Sequence, residues 1–255
     1  MGRLVVRAVA EAPDLALAAA TVRPGTLLVG GDAGEVAGVG PLGVTVTDRL
    51  ADAHGSVDCV VDFTLPQAVP AHLEFCARAG VPLVLGVTGL DPALQADVEA
   101  LARRVPVVQA ANFSVGVTLA LDLLRTAAHA FGADADVEIV DTHHRGKRDA
   151  PSGTALAMGR AVADGRGTTL DALRLPDQAP ERVPGALGFS ALRAGDVVGE
   201  HAVTFFAAGE RLELAHRATD RGVFARGALR AARWLLRGPA PGLYDMRDVL
   251  GLDPG

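Results

Sequence analysis

The sequence predicts an α/β fold: a doubly wound parallel sheet plus an inserted α+β domain with a mixed sheet. Three observations predict it. In the first half, short apolar runs such as VDCVVDF, PLVLGV and VPVVQ alternate with helix-length segments, the texture of parallel strands covered on both faces. From about Asn112 the strand-like runs alternate apolar and polar residues, which suits an antiparallel or mixed sheet with one covered face. The chain has 255 residues, enough to bury a sizeable core and form two domains.

Taken in order, residues 2–20 open with a helix whose apolar face carries Leu4, Val5, Ala8 and Val9, and Pro13-Asp14 stops it. Residues 15–22 read as a strand, 44–46 as a short one and 57–63 as a buried one. A helix over 66–79 starts just after Thr64, a candidate cap. The strand 82–87, the helix 92–104 and the strand 105–109 continue the alternation. A long apolar helix then covers 116–131. The period-two strands are 136–142, 187–192, 197–207 and 211–216, and a helix over 160–181 leads into a looser, proline-containing connection. The last amphipathic helix spans 224–236, residues 238–242 break it, and GLYDMRDVLGL closes the chain. With no repeat and no low-complexity linker, the expected division is one domain of residues 1–113 and 220–255, interrupted by a second of residues 114–219.

Hydrophobic residues make up 49% and charged residues 21%, the balance of an ordered protein. Thirty acidic against 24 basic residues give a formal charge of -6, which argues against broad nucleic-acid or anionic-membrane binding but leaves room for a local basic pocket. Cys59 and Cys76 have neither CxxC nor Cys/His metal spacing and read as buried fillers in a reducing compartment. No apolar run reaches the ~18 residues of a membrane span, and no signal design opens the chain. The expectation is a cytoplasmic protein.

The most telling segment is EIVDTHHRGKRDAPSGTA, from Glu138 to Ala155. Adjacent imidazoles at His143 and His144 can trade protons near neutral pH. Lys147 can neutralise a carboxylate or donate a proton. Pro151 fixes the chain, Ser152 or its neighbour can cap a helix, and Gly153 and Thr154 can offer donors to an anion. Asp149, next to Arg148, reads as a loop-bonding residue. Together these point to proton-coupled chemistry on a small acidic substrate.

A doubly wound sheet binds ligands beyond the carboxyl ends of its strands. Three such ends carry small or polar residues: Asp62-Phe63-Thr64, Gly86-Val87-Thr88-Gly89 and Ala110-Ala111-Asn112-Phe113. On one edge they would form a shelf for a nicotinamide ring. The GxGxxG fingerprint is absent, and Gly38 with Gly40 reads as a loop. His54, His72 and His129 read as surface or interhelix residues, whereas His201 and His216 can face a pocket. No histidine pair has metal spacing with a nearby carboxylate, so no metal is expected. Ser114 and Ser152 lack a nucleophile elbow.

These segments resemble the 4-hydroxy-tetrahydrodipicolinate (dihydrodipicolinate) reductase family of diaminopimelate–lysine biosynthesis. The likeness is carried by EIVDTHHRGKRDAPSGTA and, in order along the chain, by VVDFTLPQA, LVLGVTGL, VVQAANFSVGV, FFAAGERLELAHRATDRGVFARGALRAARWL and GLYDMRDVLGL. The resemblance implies a Rossmann nucleotide-binding domain and a substrate domain that also builds a homotetramer. It implies reduction of a cyclic unsaturated dicarboxylate by NADH or NADPH with loss of water. Carried over, His143 would be the acid/base residue and Lys147 its partner proton donor. His144, Gly153 and Thr154 would hold the substrate carboxylates. Gly86, Val87 and Thr88, with Ala110, Ala111, Asn112 and Phe113, would line the nicotinamide side.

Two departures from the family pattern stand out. Members usually begin with an apolar strand and a loop like GAxGRMG, whereas Met1-Gly2-Arg3 resembles only the tail of that loop. That leaves Met1 at the phosphate end, with the first strand and most of the cradle expected to be missing. A misplaced start codon is one explanation; the other is a truncated, catalytically weak paralogue that binds a dicarboxylate or a nucleotide. Second, where the family often places an acidic residue before arginine, this chain has Val22-Arg23. A guanidinium without a ribose-binding carboxylate tilts the expected cofactor toward NADPH over NADH. Another nicotinamide oxidoreductase of the same architecture would need a cysteine nucleophile or a different lysine/aspartate set.

Overall fold

The computed structural model describes residues 1–53, 55–176 and 181–252; His54 and the part of the expected 160–181 helix over 177–180 lie outside them. The chain divides into two compact units, Met1–Ser114 with Gly222–Gly255, and Val115–Arg221.

The first unit opens with α1 (Gly2–Ala10), then β1 (Ala20–Thr21), α2 (Ala33–Ala37), β2 (Val46–Thr47) and β3 (Val60–Asp62). It continues with α3 (Val69–Ala79), β4 (Leu83–Leu85), α4 (Pro92–Ala102) and β5 (Pro106–Gln109). Asp32 caps α2 through bonds to the Gly34 and Glu35 N–H groups, and Asp91 caps α4 ahead of Pro92. The second unit holds α5 (Val115–Phe131), β6 (Asp136–His143), α6 (Gly153–Gly165), α7 (Leu170–Leu173), β7 (Leu187–Arg193), β8 (Gly199–Ala207) and β9 (Glu210–Ala218). The chain then returns to the first unit with α8 (Gly222–Leu235), β10 (Gly242–Tyr244) and α9 (Met246–Leu250).

In the first unit β3, β4 and β5 form a parallel sheet, as the apolar runs predict, and β10, a strand the sequence pattern did not show, pairs in parallel with β5 to give the order β10-β5-β4-β3. Leu83, Leu85 and Val107 are fully buried in a core with Phe75, Cys76, Val98 and Leu101 from α3 and α4. β1 and β2 pair in parallel as a separate ribbon. The expected strand over 15–22 shrinks to Ala20–Thr21, because only those two residues find ladder partners, at Val46 and Thr47. Thr64 caps no helix: its N–H and hydroxyl both donate to Asp62, and a 3-10 turn at Pro66–Ala68 leads into α3 instead. Gly38 ends α2, an element the sequence reading lacked, in the left-handed conformation (φ 77°) that glycine tolerates best.

In the second unit the sheet runs β7-β6-β8-β9, with β6 parallel to β7 and antiparallel to β8. Val137, Ile139, Val203, Phe205 and Leu187 on one face pack with Leu124 of α5 and Met158 and Val162 of α6. Phe131 stacks on Phe205 at 5.5 Å between ring centroids. The helix expected over 160–181 starts earlier and stops sooner. Ser152 accepts the Ala155 N–H and starts α6 at Gly153, while Gly167 (φ 65°) turns the chain just past its end. Gly159 does not break α6 because tertiary contact decides there: a side chain would meet Phe189 at 2.7 Å.

Candidate active site

The site in the second unit grows from the alternation of β6. Val137, Ile139, Asp141 and His143 share its buried face, which is apolar at one end and ionisable at the other. β6 ends at His143; the His144 N–H then donates to Val197 O at 2.7 Å and the chain turns, with Lys147 N–H donating to His144 O at 3.1 Å. The loop closes on α6, whose cap Ser152 is buried and whose first residue, Gly153, is exposed with open space where a side chain would start. The first N–H groups of a helix lack intrahelical partners and favour an anion. Thr154 is half-buried beside them.

Asp141 joins these pieces. Its Oδ1 lies 2.6 Å from His143 Nδ1 and 3.6 Å from His201 Nε2. Its Oδ2 accepts the Ser152 N–H at 2.7 Å and Arg193 Nη2 at 3.1 Å. Burial alone would raise its carboxyl, but Ser152, Arg193 and His143 outweigh that and hold it below the usual carboxylate range. His143 is only 8% exposed, and burial lowers its imidazole below the ordinary value, with Asp141 opposing the shift and Lys147 adding to it. Lys147 Nζ pairs with Asp149 at 2.9 Å. Burial drives His201 down to about 4, and its Nε2 sits 3.0 Å from Ser152 Oγ.

Several expectations change. His201 and His216 face each other across β8 and β9, and the His201 ring stands edge-on to His143 at 5.2 Å. Sequence spacing showed no histidine pair near a carboxylate, yet β-pairing brings donor atoms of Asp141, His143 and His201 within 4.8 Å of one another. The carboxylate already serves Ser152 and Arg193 there, with Lys147 adding positive charge nearby, a setting that suits a proton network better than a cation. Asp141 and Arg193 were missed as site residues. Asp141 was legible, two residues before His143 on one strand face; Arg193 and His201 reach the site only through strand pairing.

In the first unit the three strand ends do share an edge, because Asp62, Leu85 and Gln109 are in register. Gly86 N–H donates to Asp62 O at 2.8 Å and Ala110 N–H to Leu85 O at 3.1 Å. Val87 and Phe113 are buried, Ala110 and Asn112 half-buried, and Thr88, Gly89 and Ala111 exposed. Asn112 Oδ1 accepts the Ser114 N–H at 2.8 Å. The Phe63 ring lies where a side chain of residue 86 would go, 2.3 Å from an added Cβ, and meets Phe113 edge-on at 5.3 Å. Small residues thus leave a ledge backed by two aromatic rings. His72 is not a free surface residue, since its Nδ1 lies 2.6 Å from buried Asp62. Met1 caps α1 with its carbonyl alone, accepting from Leu4 and Val5. Arg23 is exposed just past β1.

A family model described as dihydrodipicolinate reductase, N-terminus, matches residues 1–113, and one described as dihydrodipicolinate reductase, C-terminus, matches residues 116–250. A 4-hydroxy-tetrahydrodipicolinate reductase of Thiobacillus denitrificans is 51% identical over 255 residues, covering 99% of this chain and 95% of the relative. One of Alkalilimnicola ehrlichii is 49% identical with the same coverage. Among solved structures, a dipicolinate-bound dihydrodipicolinate reductase from Paenisporosarcina sp. TG-14 superposes with a TM-score of 0.75 at 22% identity, over 96% of this chain and 92% of that one. At that identity the likeness is one of fold.

Proposed function

The chain belongs to the dihydrodipicolinate reductase family, and from that premise we propose that it reduces 4-hydroxy-tetrahydrodipicolinate to tetrahydrodipicolinate with a nicotinamide cofactor, releasing water. The net reaction takes one hydride from NAD(P)H and one proton, and returns NAD(P)+ and water. The observation that carries this reading is the convergence of a buried imidazole, a lysine and a helix N-terminus on one end of β6. A dianionic substrate suits that setting in an acidic protein, because the positive groups are local.

His143 holds the proton for the carbon next to the one that accepts hydride, and Lys147 is the partner donor. In the free protein burial keeps His143 largely neutral near pH ~7. Two substrate carboxylates would favour the imidazolium by adding negative charge beside it. His144, Gly153 and Thr154 bind those carboxylates: an imidazole, an exposed helix N-terminus and a hydroxyl are all donors to anions.

The ledge of the first unit fits a nicotinamide ring. Thr88, Ala110 and Ala111 border the place for a flat ring, Gly86 lets Phe63 pack against the strand end behind it, and Phe113, Val87 and Asn112 complete the lining. When bound, the nicotinamide supplies the hydride. On the phosphate side the α1 N-terminus at Met1 offers backbone N–H groups to an anion. Exposed Arg23, with Val22 in place of a carboxylate, suits a 2′-phosphate and favours NADPH over NADH. Both thiols are pushed up to about 12 by burial, which speaks against a cysteine-nucleophile dehydrogenase.

The face of the mixed sheet turned away from α5 and α6 carries Ala202, Thr204 and Ala215 with exposed Leu192 and Phe206. We assign that face to assembly of a homotetramer in the cytoplasm. No helix among the described residues is long and apolar enough to cross a membrane.

The test is loss of NAD(P)H absorbance with freshly generated 4-hydroxy-tetrahydrodipicolinate. The expected result is turnover with a higher kcat/KM for NADPH than for NADH. His143→Gln should lower kcat by about 10²-fold or more with a much smaller change in KM, since proton transfer belongs to the transition state. Absence of turnover with either cofactor would overturn the assignment.

A further inference from the structure

Asp141 is a fully buried carboxylate that meets four separate elements: its own strand β6 at His143, β7 at Arg193, β8 at His201, and the start of α6 at Ser152. A buried anion is tolerated only when paired and hydrogen-bonded. Here Oδ2 takes the Ser152 N–H and Arg193, whereas Oδ1 lies 2.6 Å from His143 Nδ1 and 3.6 Å from His201 Nε2 without aligned hydrogen-bond geometry, so that Oδ1 and Nδ1 are both buried with no hydrogen-bond partner among the described residues. A proton on Nδ1, reached by a small turn of the ring, is what would satisfy both of these buried atoms, and in neutral His143 that is the Nδ1–H tautomer. The nitrogen that exchanges protons with a ligand is then Nε2. Gly199 keeps space beside it, since an added Cβ there would lie 3.0 Å from Nε2.

The same carboxylate reaches the lysine. Arg193 Nη2, bonded to Asp141, also donates to Asp149 O at 2.7 Å, and the Asp149 side chain pairs with Lys147. The charged and titratable groups that face His143 are thus Asp141 on its own strand, Arg193 from β7, His201 from β8 and Lys147 from the following loop, with the Ser152 end of α6 closing the set and His216 of β9 beyond His201.

We propose that Asp141 is the positioning residue of this site: it fixes His143 in the Nδ1–H tautomer so that proton transfer runs through Nε2, and through Arg193 it holds the loop that carries Lys147. This rests on the reading of His143 as the proton donor. The effect of removing the charge follows from the bonds. In Asp141→Asn the amide oxygen is claimed by Ser152 N–H and Arg193, so the amide NH2 faces His143 Nδ1. Donor would then meet donor unless His143 switches to the Nε2–H tautomer, and the imidazolium loses its counter-charge.

The test pairs a spectroscopic readout with kinetics. Ring-nitrogen NMR of the wild type, with His143 assigned by comparison with His143→Gln, should show the Nδ1–H tautomer. Asp141→Asn should show Nε2–H. In turnover assays Asp141→Asn should lower kcat about 10²- to 10⁴-fold with little change in KM, and the basic limb of its kcat/KM profile should move to lower pH. Asp141→Glu, which restores a carboxylate, should recover part of the rate and the wild-type tautomer. The proposal is overturned if wild-type His143 is the Nε2–H tautomer. It is equally overturned if Asp141→Asn keeps both the tautomer and the pH limb of the wild type. Should Asp141→Asn fail to fold, the wild-type spectrum and Asp141→Glu still decide. A wild type that does not turn over would defeat the reductase reading while the tautomer of His143 still tests the positioning role.

Discussion

Acid should destabilise the second unit through His201 before its carboxylates protonate. His201 is 5% exposed, and burial pushes it from an ordinary value of 6.5 down to about 4. In the unfolded chain it takes a proton near the ordinary value. As pH falls below that value, the unfolded state binds protons that the folded state refuses, and stability drops until the folded protein protonates as well. Linkage over this window gives a loss of about 2 kcal/mol by about pH 5 and about 3 kcal/mol by about pH 4, relative to neutral pH. His143 and His216, both lowered by burial, act with the same sign. Asp141 is held below the carboxylate range, so its stabilising contribution is lost only at lower pH. The perturbation that isolates His201 is His201→Gln, whose amide can hydrogen-bond Ser152 Oγ in either direction but does not titrate. Urea unfolding at neutral pH and at about pH 5 measures the difference. The wild type should lose about 2 kcal/mol more than the variant between the two conditions. Equal losses in the two proteins would refute the reasoning.

Other expectations concern glycines and the loop. Gly86→Ala would press a Cβ to 2.3 Å from the Phe63 ring; it should raise the KM for NAD(P)H and cost about 1–3 kcal/mol in a thermal melt. Gly227→Ala meets backbone, at 1.7 Å from Phe113 O, so it should cost about 3 kcal/mol or more and lower the melting midpoint further than Gly86→Ala. Asp149→Asn neutralises an exposed carboxylate that pairs with half-buried Lys147 and should change unfolding stability by less than about 1 kcal/mol.

What could be read from the sequence was what local pattern governs. The strands β3, β4 and β5 were legible because three or four consecutive apolar residues between turn signals have few alternatives. The ends of α6 were not, because Gly159 argues locally against a helix and only its contact with Phe189 argues for one. The short strand β1 was overextended, since ladder length depends on how much partner β2 offers. In the site, adjacency within EIVDTHHRGKRDAPSGTA pointed to His143, Lys147 and the capping Ser152. Arg193 and His201 come to Asp141 from 52 residues away and from across the β6–β8 register, and no spacing rule joins them. Asp141 itself was legible, since strand alternation puts it on the face of His143.

The alternation of β6 also ties folding fidelity to competence. Its buried face runs from Val137 and Ile139 to Asp141 and His143 without changing sides, and seven residues pair with β7 and seven with β8. Slippage by one residue against either neighbour would turn both halves of that face outward together. A misregistered chain would therefore show apolar side chains to solvent at the same moment as it lost its imidazole from the pocket. Such a species is recognisable to a chaperone or protease by its surface, so the cell need not detect a well-folded but defective enzyme. Mechanical proofreading of this kind arises because core and chemistry share one strand.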